Sequence, residues 1–274
     1  MAKKNEELAT VDTNSALAEV VDFGEFAADA ATLRPEDYIT ERWRLVQALT
    51  KAKQENRSLQ DGDLYGNLNK KGLKKALIVE IFQYRAIVER QSKANNSKFV
   101  REYVESTPNN FGDARVNQYV AAAGFKDVYK VNTDNGNELV PTYNSYVAFL
   151  NETGDDVVDF GILQADKTQI RPYKLWCQNR VKFNGANGCP TYAIRTWVDG
   201  QADYKNEKGN VTKQYTFTPF VNNDWRQSLL NPKTNRELLL KLAEHKKLMQ
   251  SGAIKVAEYS DADDSEAAQE EAAF

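Results

Sequence analysis

The amino-acid sequence predicts a β-rich α+β fold, in which a β-barrel core is followed by a C-terminal helix and flanked by acidic segments. Three observations lead to this prediction. Between residues 125 and 221, extended runs alternate with turn signals, of which Asn135-Gly136 is the strongest because Asn-Gly favours a hairpin turn. Residues 234–237 read Thr-Asn-Arg-Glu, a capping box that opens a helix. Residues 258–274 are acidic and poor in apolar side chains, so they cannot bury enough surface to fold alone.

The elements of the core follow from the hydrophobic pattern and the turn signals. Dense β-branched residues at 74–90 predict a buried strand, whereas residues 38–49 fit either a strand or a helix. The polar stretch 51–72 is expected to be a long loop or a hairpin connection, and residues 167–179 a helix packed on the barrel. Further strands are expected at 99–104, 128–131, 143–150, 157–163, 191–198 and 214–221.

Charge is distributed unevenly along the chain. The whole sequence has a net charge of −3, but residues 38–257 hold 33 basic and 23 acidic side chains, a net charge of +10. A basic body between acidic ends indicates a polyanionic partner, because each neutralised phosphate releases condensed counterions. We therefore divide the chain into an acidic N-terminal arm (1–37), a nucleic-acid-binding core (38–232), a helical extension (233–257) and an acidic disordered tail (258–274).

Basic and aromatic residues adjoin one another in the core, as single-stranded nucleic acid requires: bases stack on aromatic rings, and cations follow the phosphates. If these residues lie in strands, Arg180 and Lys182 share one face, and so do Arg195 and Trp197. For any one aromatic residue the alternative is a place in the core, which we expect for Tyr84, Tyr143, Tyr146 and Phe149. The predicted nucleic-acid-binding residues are Arg171, Lys174, Trp176, Arg180, Lys182, Arg195, Trp197, Tyr204, Lys205 and Lys208.

No pattern typical of an active site, a cofactor site or a metal site is found in the sequence. Cys177, Cys189 and the single His245 are too few for a structural zinc site, so we expect reduced thiols. Glycine-rich phosphate-binding motifs are absent from the sequence. No apolar run is long enough to span a bilayer, and the first ten residues lack the apolar centre of a signal peptide. We expect a cytoplasmic protein that is not an enzyme and has no cofactor.

The C-terminal residues carry a motif of their own. An acidic run ends in an aromatic residue that bears the terminal carboxylate, and this resembles the tail of bacterial and phage single-stranded-DNA-binding proteins. Ala273 stands where bacterial members usually have proline. The resemblance implies an OB-like barrel for the core and a tail that recruits replication or recombination proteins and competes with DNA for the basic groove. The implied partner-binding residues are Asp261, Asp263, Asp264, Glu266, Glu270, Glu271 and Phe274.

Residues 143–220 have a resemblance of their own. Their Tyr-Val-Ala-Phe-Leu and Asp-Phe-Gly-Ile-Leu strands and Lys-x-Trp helix are similar to proteins that tailed bacteriophages encode near their replication and recombination genes. We therefore expect a protein that binds single-stranded DNA with little sequence preference during phage DNA replication, recombination and repair, in the host cytoplasm. The alternative is a protein-interaction or regulatory module, such as a phage inhibitor or a transcription accessory factor, without DNA-binding activity. The sequence leaves open the choice between DNA and RNA and between monomer and homodimer.

Overall fold

The structure of the 274-residue chain is a computed structural model that describes residues 39–48, 52–53, 56–66, 68–91, 98–131, 133–187, 190–205, 209, 211–251 and 255–256. Within these ranges, the side chains of 39, 98, 181–187 and 255–256 are not described. The predicted acidic arm, the acidic tail with its partner-binding residues, Lys208 and Cys189 lie outside the described residues, and the side chain of Lys182 is among those not described.

The described part of the chain contains ten strands and three α-helices. The strands are β1 (Ile39–Leu45), β2 (Leu64–Gly66), β3 (Gly72–Leu73), β4 (Lys75–Gln91), β5 (Lys98–Val104), β6 (Asn137–Leu150), β7 (Val157–Asp166), β8 (Thr196–Lys205), β9 (Val211–Pro219) and β10 (Lys255–Val256). The helices are α1 (Ala114–Ala123), α2 (Ile170–Asn187) and α3 (Arg236–Gln250), and short 3-10 helices lie at Val128–Lys130, Lys167–Gln169 and Thr191–Ala193.

The strands form one sheet in the order β3-β2-β1-β7-β6-β4-β8-β9, with β10 beside β1 and β5 beside β4. β1 runs parallel to β7 and β10, and the other pairs are antiparallel. The 17-residue strand β4 pairs with β6 along one edge, while its other edge pairs first with β8 and then with β5. A bulge between Glu80 and Phe82 bends β4. The sheet curls into an open half-barrel.

Two contacts bring the β1 side of the half-barrel close to the β8–β9 hairpin. The side-chain amide of Gln47 donates from Nε2 to the carbonyl of Lys213 at 3.0 Å and accepts at Oε1 from the N–H of Lys213 at 2.8 Å. It therefore bonds to β9 much as a neighbouring strand would. A Cβ added at Gly200 would lie 2.4 Å from the carbonyl oxygen of Gly62, so this crossing requires glycine.

Helix α2 fills the inner side of the half-barrel. Tyr173 and Trp176, one turn apart, pack with Trp43, Ile78 and Phe149 from three different strands. On the other side of the sheet, α3 buries Leu238 and Leu242 against β4, β6 and β7. Helix α1 covers the far end of β4 and β6 with Val116 and Val120. The long strands of this sheet are thus covered by helices on both sides.

Most of the predicted elements are confirmed. The strands expected at 74–90, 99–104, 143–150, 157–163 and 214–221 correspond to β4, β5, β6, β7 and β9, with small differences at their ends. The stretch that fits either a strand or a helix is β1, and residues 51–72 contain the short strands β2 and β3. The helix expected after residues 234–237 is α3, although its N-cap is Asn235 and no side chain caps it, so the predicted capping box does not form. The helix expected at 167–179 is α2. The β-rich α+β class and the C-terminal helix are therefore correct.

Three local predictions are wrong. The strand expected at 128–131 is a 3-10 turn, because Val128 is buried in the cluster around α1 instead of joining a sheet. The strand expected at 191–198 begins only at Thr196, since the preceding residues pair with the loop at Leu229 and Leu230. Arg180 is not in a strand, because α2 continues to Asn187. Helix α1 was not predicted, although Asp113 caps it by accepting from the N–H of Val116 at 3.0 Å.

Candidate nucleic-acid interface

The outward side of the β8–β9 hairpin brings basic and aromatic side chains together. Trp197 pairs across the hairpin with Thr218, and Tyr204 pairs with Thr212. Thr218 and Thr212 are an even number of residues apart in the regular strand β9, so Trp197 and Tyr204 lie on the same face of the hairpin. Trp197 and Tyr204 are an odd number of residues apart in β8, and the irregularity between Asp199 and Ala202 adds the one residue that brings both side chains to the same face. We call the hairpin surface the set Lys75, Arg195, Trp197, Tyr204 and Phe220.

At the base of the hairpin surface, two neighbouring rings lie between two cations. The ammonium group of Lys75 lies 4.5 Å from the centre of the Trp197 ring, and the ring of Phe220 lies 5.9 Å from that of Trp197. The guanidinium group of Arg195 is 4.5 Å from the Phe220 ring and donates from Nε to the carbonyl of Ser228 at 3.3 Å. Burial lowers the pKa of Arg195, although Asp155 acts in the opposite direction. Trp197 is half-buried, so it has a fixed position and keeps an accessible part.

The tip of the hairpin is accessible to solvent. Tyr204 is 36% exposed, and the next residue, Lys205, is exposed on the opposite face. On the opposite face of the hairpin, Lys213 pairs with Asp203 at 2.8 Å. The carboxylate of Asp203 is therefore not on the face of Tyr204. From Trp197 to Tyr204 the hairpin spans about 20 Å, the length of six residues of extended strand. Two rings on one face at that separation can stack bases of one extended strand, while Lys75 beside Trp197 meets its phosphates.

Two of the predicted binding residues lie in the core instead. Trp176 is 1% exposed, its ring stacks on Phe217 with centres 4.4 Å apart, and its Nε1 donates to the Thr196 hydroxyl at 3.2 Å. The guanidinium group of Arg180 lies 3.7 Å from the Trp176 ring and forms an ion pair with Glu80. Residues four apart in a helix share a face, so Trp176 and Arg180 both point into the half-barrel. Neither side chain is accessible to a nucleic acid in this conformation.

A buried polar network surrounds that ion pair. Glu80 also accepts from the Ser145 hydroxyl, which lies 2.9 Å from the hydroxyl of Tyr173. Burial tends to lower the pKa of Arg180, but the charge and the hydrogen bond of Glu80, with smaller effects of Cys177 and Tyr173, together raise it. Burial raises the pKa of Tyr173 far above its ordinary value, and it raises the pKa of the Cys177 thiol as well. Near neutral pH, Arg180 is therefore charged and Tyr173 and Cys177 are neutral, which suits a structural role.

The remaining predicted residues lie on α2, away from the hairpin surface. Arg171 is exposed in the first turn, and the ammonium group of Lys174 lies 4.9 Å from the centre of the Tyr143 ring. Sequence reasoning missed Lys75 and Phe220, because their positions beside Trp197 and Arg195 depend on pairing and loop contacts between distant parts of the chain. The one local signal for Lys75 in the sequence is its position at the start of the long apolar strand β4.

Among the described residues, no group of three or more His, Cys, Asp or Glu side chains is placed to hold a metal ion. Cys177 is a free thiol, half-buried on α2. Over the same part of the chain, no helix combines the length and the apolar character needed to cross a bilayer.

The geometry thus defines a β-rich α+β protein with a curled sheet and a basic, aromatic hairpin. The model of the Pam3 phage gp34-like protein family matches residues 11–227, and the chain therefore belongs to this phage family. The match includes β1 to β9 and ends before α3. No curated protein and no solved structure matches the chain significantly.

Proposed function

We propose that the protein binds single-stranded DNA with little sequence preference during phage DNA replication and recombination. The observation that carries this proposal is the hairpin surface, where Trp197 and Tyr204 share one face and Lys75 lies over the Trp197 ring. Base stacking and backbone charge do not distinguish one base from another, so binding of this kind tolerates any sequence. The net charge of +10 over residues 38–257 adds a general attraction for phosphate. Membership of a phage family supports the biological setting.

An OB-like barrel is part of the proposal. The half-barrel curl and the placement of a helix, α2, between β7 and β8 are compatible with such a barrel. OB-type barrels are partly open and bind oligonucleotides on an exposed strand face and its loops. The hairpin surface is a strand face of this kind.

The acidic tail supplies the second part of the proposal. Residues 258–274 carry seven acidic side chains and end in Phe274. We expect the tail to recruit replication or recombination proteins and to compete with DNA for the basic body. Deletion of 258–274 should strengthen binding to oligo-dT and change its salt dependence. Unchanged affinity and unchanged salt dependence would remove the competition from the proposal.

Fluorescence anisotropy of labelled oligo-dT and of duplex DNA, titrated with the full chain at two salt concentrations, tests the binding itself. We expect oligo-dT to bind more tightly than the duplex. Trp197→Ala and Tyr204→Ala should each weaken binding to oligo-dT by roughly fivefold to a hundredfold, since stacking contributes about 1–3 kcal/mol per base. Tyr129→Ala is the matched control, because Tyr129 is also exposed and lies beside Lys130 but is far from the hairpin in sequence and fold.

Three results would contradict the proposal: absence of binding at low salt, equal binding of duplex DNA, or equal losses for Tyr129→Ala and Tyr204→Ala. Absence of DNA binding together with strong binding to a protein partner would favour an interaction or regulatory module.

A further inference from the structure

A cleft of about 320 Å³ lies between helix α2 and an interrupted edge of β4. Its volume is at the lower end of the range for small-molecule sites. No residue of the hairpin surface lines the cleft, so the two sites are separate. Its lining combines rings with polar groups: Phe82, Gln83, Tyr84, Arg85, Glu105, Tyr143 and Tyr173.

The interrupted strand edge supplies hydrogen-bonding groups to this cleft. β8 pairs with β4 as far as Ile78 and β5 pairs from Ala86, so among the described strands none pairs with residues 79–84 on this edge. The N–H of Glu105 donates to the carbonyl of Arg85 at 2.9 Å, which shows that the main-chain groups of Arg85 point towards this edge. Main-chain groups two residues apart in a strand point to the same edge. The main-chain N–H and C=O of Gln83 therefore face the cleft as well.

The side chain of Gln83 adds an amide to the same place. Its Oε1 accepts from the hydroxyl of Tyr173 at 3.2 Å, and the side chain is exposed. An amide held through its oxygen presents its N–H donors to whatever occupies the cleft. A donor and acceptor on the main chain, together with an amide, match the edge of a nucleobase, which carries donors and acceptors side by side.

The charge of the cleft favours an anion. Arg85 and Glu105 form a two-bond ion pair, so their charges compensate one another. Lys174, above the ring of Tyr143, adds a positive charge at the cleft, and Arg171 is exposed one turn earlier on α2. The rings of Tyr143 and Tyr173 lie 5.6 Å apart in a tilted arrangement and provide an aromatic wall.

We propose that this cleft binds one nucleotide, with its base hydrogen-bonded to Gln83 and its phosphate beside Lys174. The nucleotide is either a free mononucleotide or one unit of a DNA strand, since both present the same base and phosphate. The site does not depend on DNA binding by the hairpin surface.

Isothermal titration calorimetry of the full chain with dTMP, dAMP and thymidine tests this proposal. We expect both nucleotides to bind and thymidine to bind more weakly, because it lacks the phosphate. Lys174→Gln should weaken dTMP binding about fivefold and leave thymidine binding unchanged. Gln83→Leu should weaken the binding of all three compounds. Two variants should bind dTMP like the unmodified chain: Lys126→Gln, a matched loss of an exposed lysine, and Trp197→Ala, on the hairpin surface.

The source of the nucleotide follows from a second titration, with dTMP added to protein saturated with oligo-dT. Unchanged binding of dTMP identifies a site for free nucleotides, whereas competition identifies a unit of the bound strand. The proposal is overturned if neither nucleotide binds at millimolar concentration, or if Lys174→Gln and Gln83→Leu bind dTMP as tightly as the unmodified chain does. Oligo-dT binding that Trp197→Ala weakens while Gln83→Leu does not would leave the hairpin as the DNA site and exclude the cleft as a site for a unit of the bound strand.

Discussion

Replacement of Arg180 by alanine would leave a carboxylate in the interior without its counter-charge. The side chains of Arg180 and Glu80 are 3% and 1% exposed, so water cannot solvate Glu80 when the guanidinium group is removed. The Ser145 hydroxyl, which donates to Glu80, is a neutral partner and compensates for only part of the loss. The ring of Trp176 would also lose the cation that lies 3.7 Å from its centre.

Breaking a buried ion pair from one side typically costs about 3–5 kcal/mol. Since a domain is stable by roughly 5–15 kcal/mol, Arg180→Ala should remove a large part of the free energy of unfolding. A double variant, Glu80→Leu with Arg180→Met, should recover much of this loss, because it removes both charges from the interior and keeps the volume filled. The recovery would show that the unpaired charge, and not the missing volume, is responsible.

Urea denaturation followed by tryptophan fluorescence measures these differences. Arg171→Ala is the matched control, because it removes an exposed arginine from the same helix and should change the free energy of unfolding by less than about 0.5 kcal/mol. The reasoning would be refuted if Arg180→Ala unfolded at the same urea concentration as the unmodified chain but lost its affinity for oligo-dT. That result would place Arg180 at the DNA interface, as strand alternation alone suggests.

Three further predictions follow from the structure. Gly200→Ala should lower the melting temperature, since overpacking against Gly62 costs about 1–3 kcal/mol, whereas Gln201→Ala should have little effect; equal melting temperatures would contradict the tight crossing. Burial and the charge of Lys241 lower the pKa of His245, although Glu244 acts in the opposite direction. The unfolded chain therefore binds a proton more readily than the folded chain, and stability should fall as the pH drops below about 6.5. Between pH 7.5 and 5.5, the urea midpoint of His245→Gln should fall less than that of the unmodified chain. Lys75→Ala should weaken binding to oligo-dT and reduce the slope of log K against log salt by about 0.7, while Lys126→Ala should leave the slope unchanged.

The parts of the fold that could be predicted are those whose signals are local. β4, β6 and β7 consist of apolar, β-branched and aromatic runs bounded by turns, and the predicted capping box marks the start of α3 within two residues. The end of α2 could not be predicted in this way. Its later residues include Asn184 and Gly185, which are poor helix formers, so the sequence there indicates a bend.

The misassigned end of α2 explains why Arg180 was expected at the binding site. In a strand, Arg180 would share a face with Lys182 and be open to a ligand, whereas Trp176 lies within the helix that was expected at 167–179. In a helix, Trp176 and Arg180 are four residues apart, and both point to the core. In the structure, the ring of Phe220 contacts both Arg195 and Trp197. The position of Phe220 depends on the loop after β9. The chemistry of the site was visible in the sequence, but the tertiary contacts decide which residues are accessible.

The acidic segments at the two ends of the chain are attached to the same edge of the sheet. β10 pairs in parallel with β1, which places Lys255 beside Ile39. The segments that carry nine and seven acidic side chains, 1–37 and 258–274, therefore join the described body at neighbouring points. β1 leads from there to Gln47, about 26 Å further along, where the side-chain amide is bonded to Lys213 in the β8–β9 hairpin.

A 17-residue segment can extend to about 58 Å, so the length of the tail does not prevent it from reaching the hairpin surface. The same holds for the longer N-terminal segment. If acidic residues compete with DNA for the hairpin, both segments contribute, because a screened attraction depends on charge and distance and not on which end of the chain supplies the charge. Deletion of 258–274 alone should therefore release only part of the inhibition, and the additional deletion of 1–37 should release more.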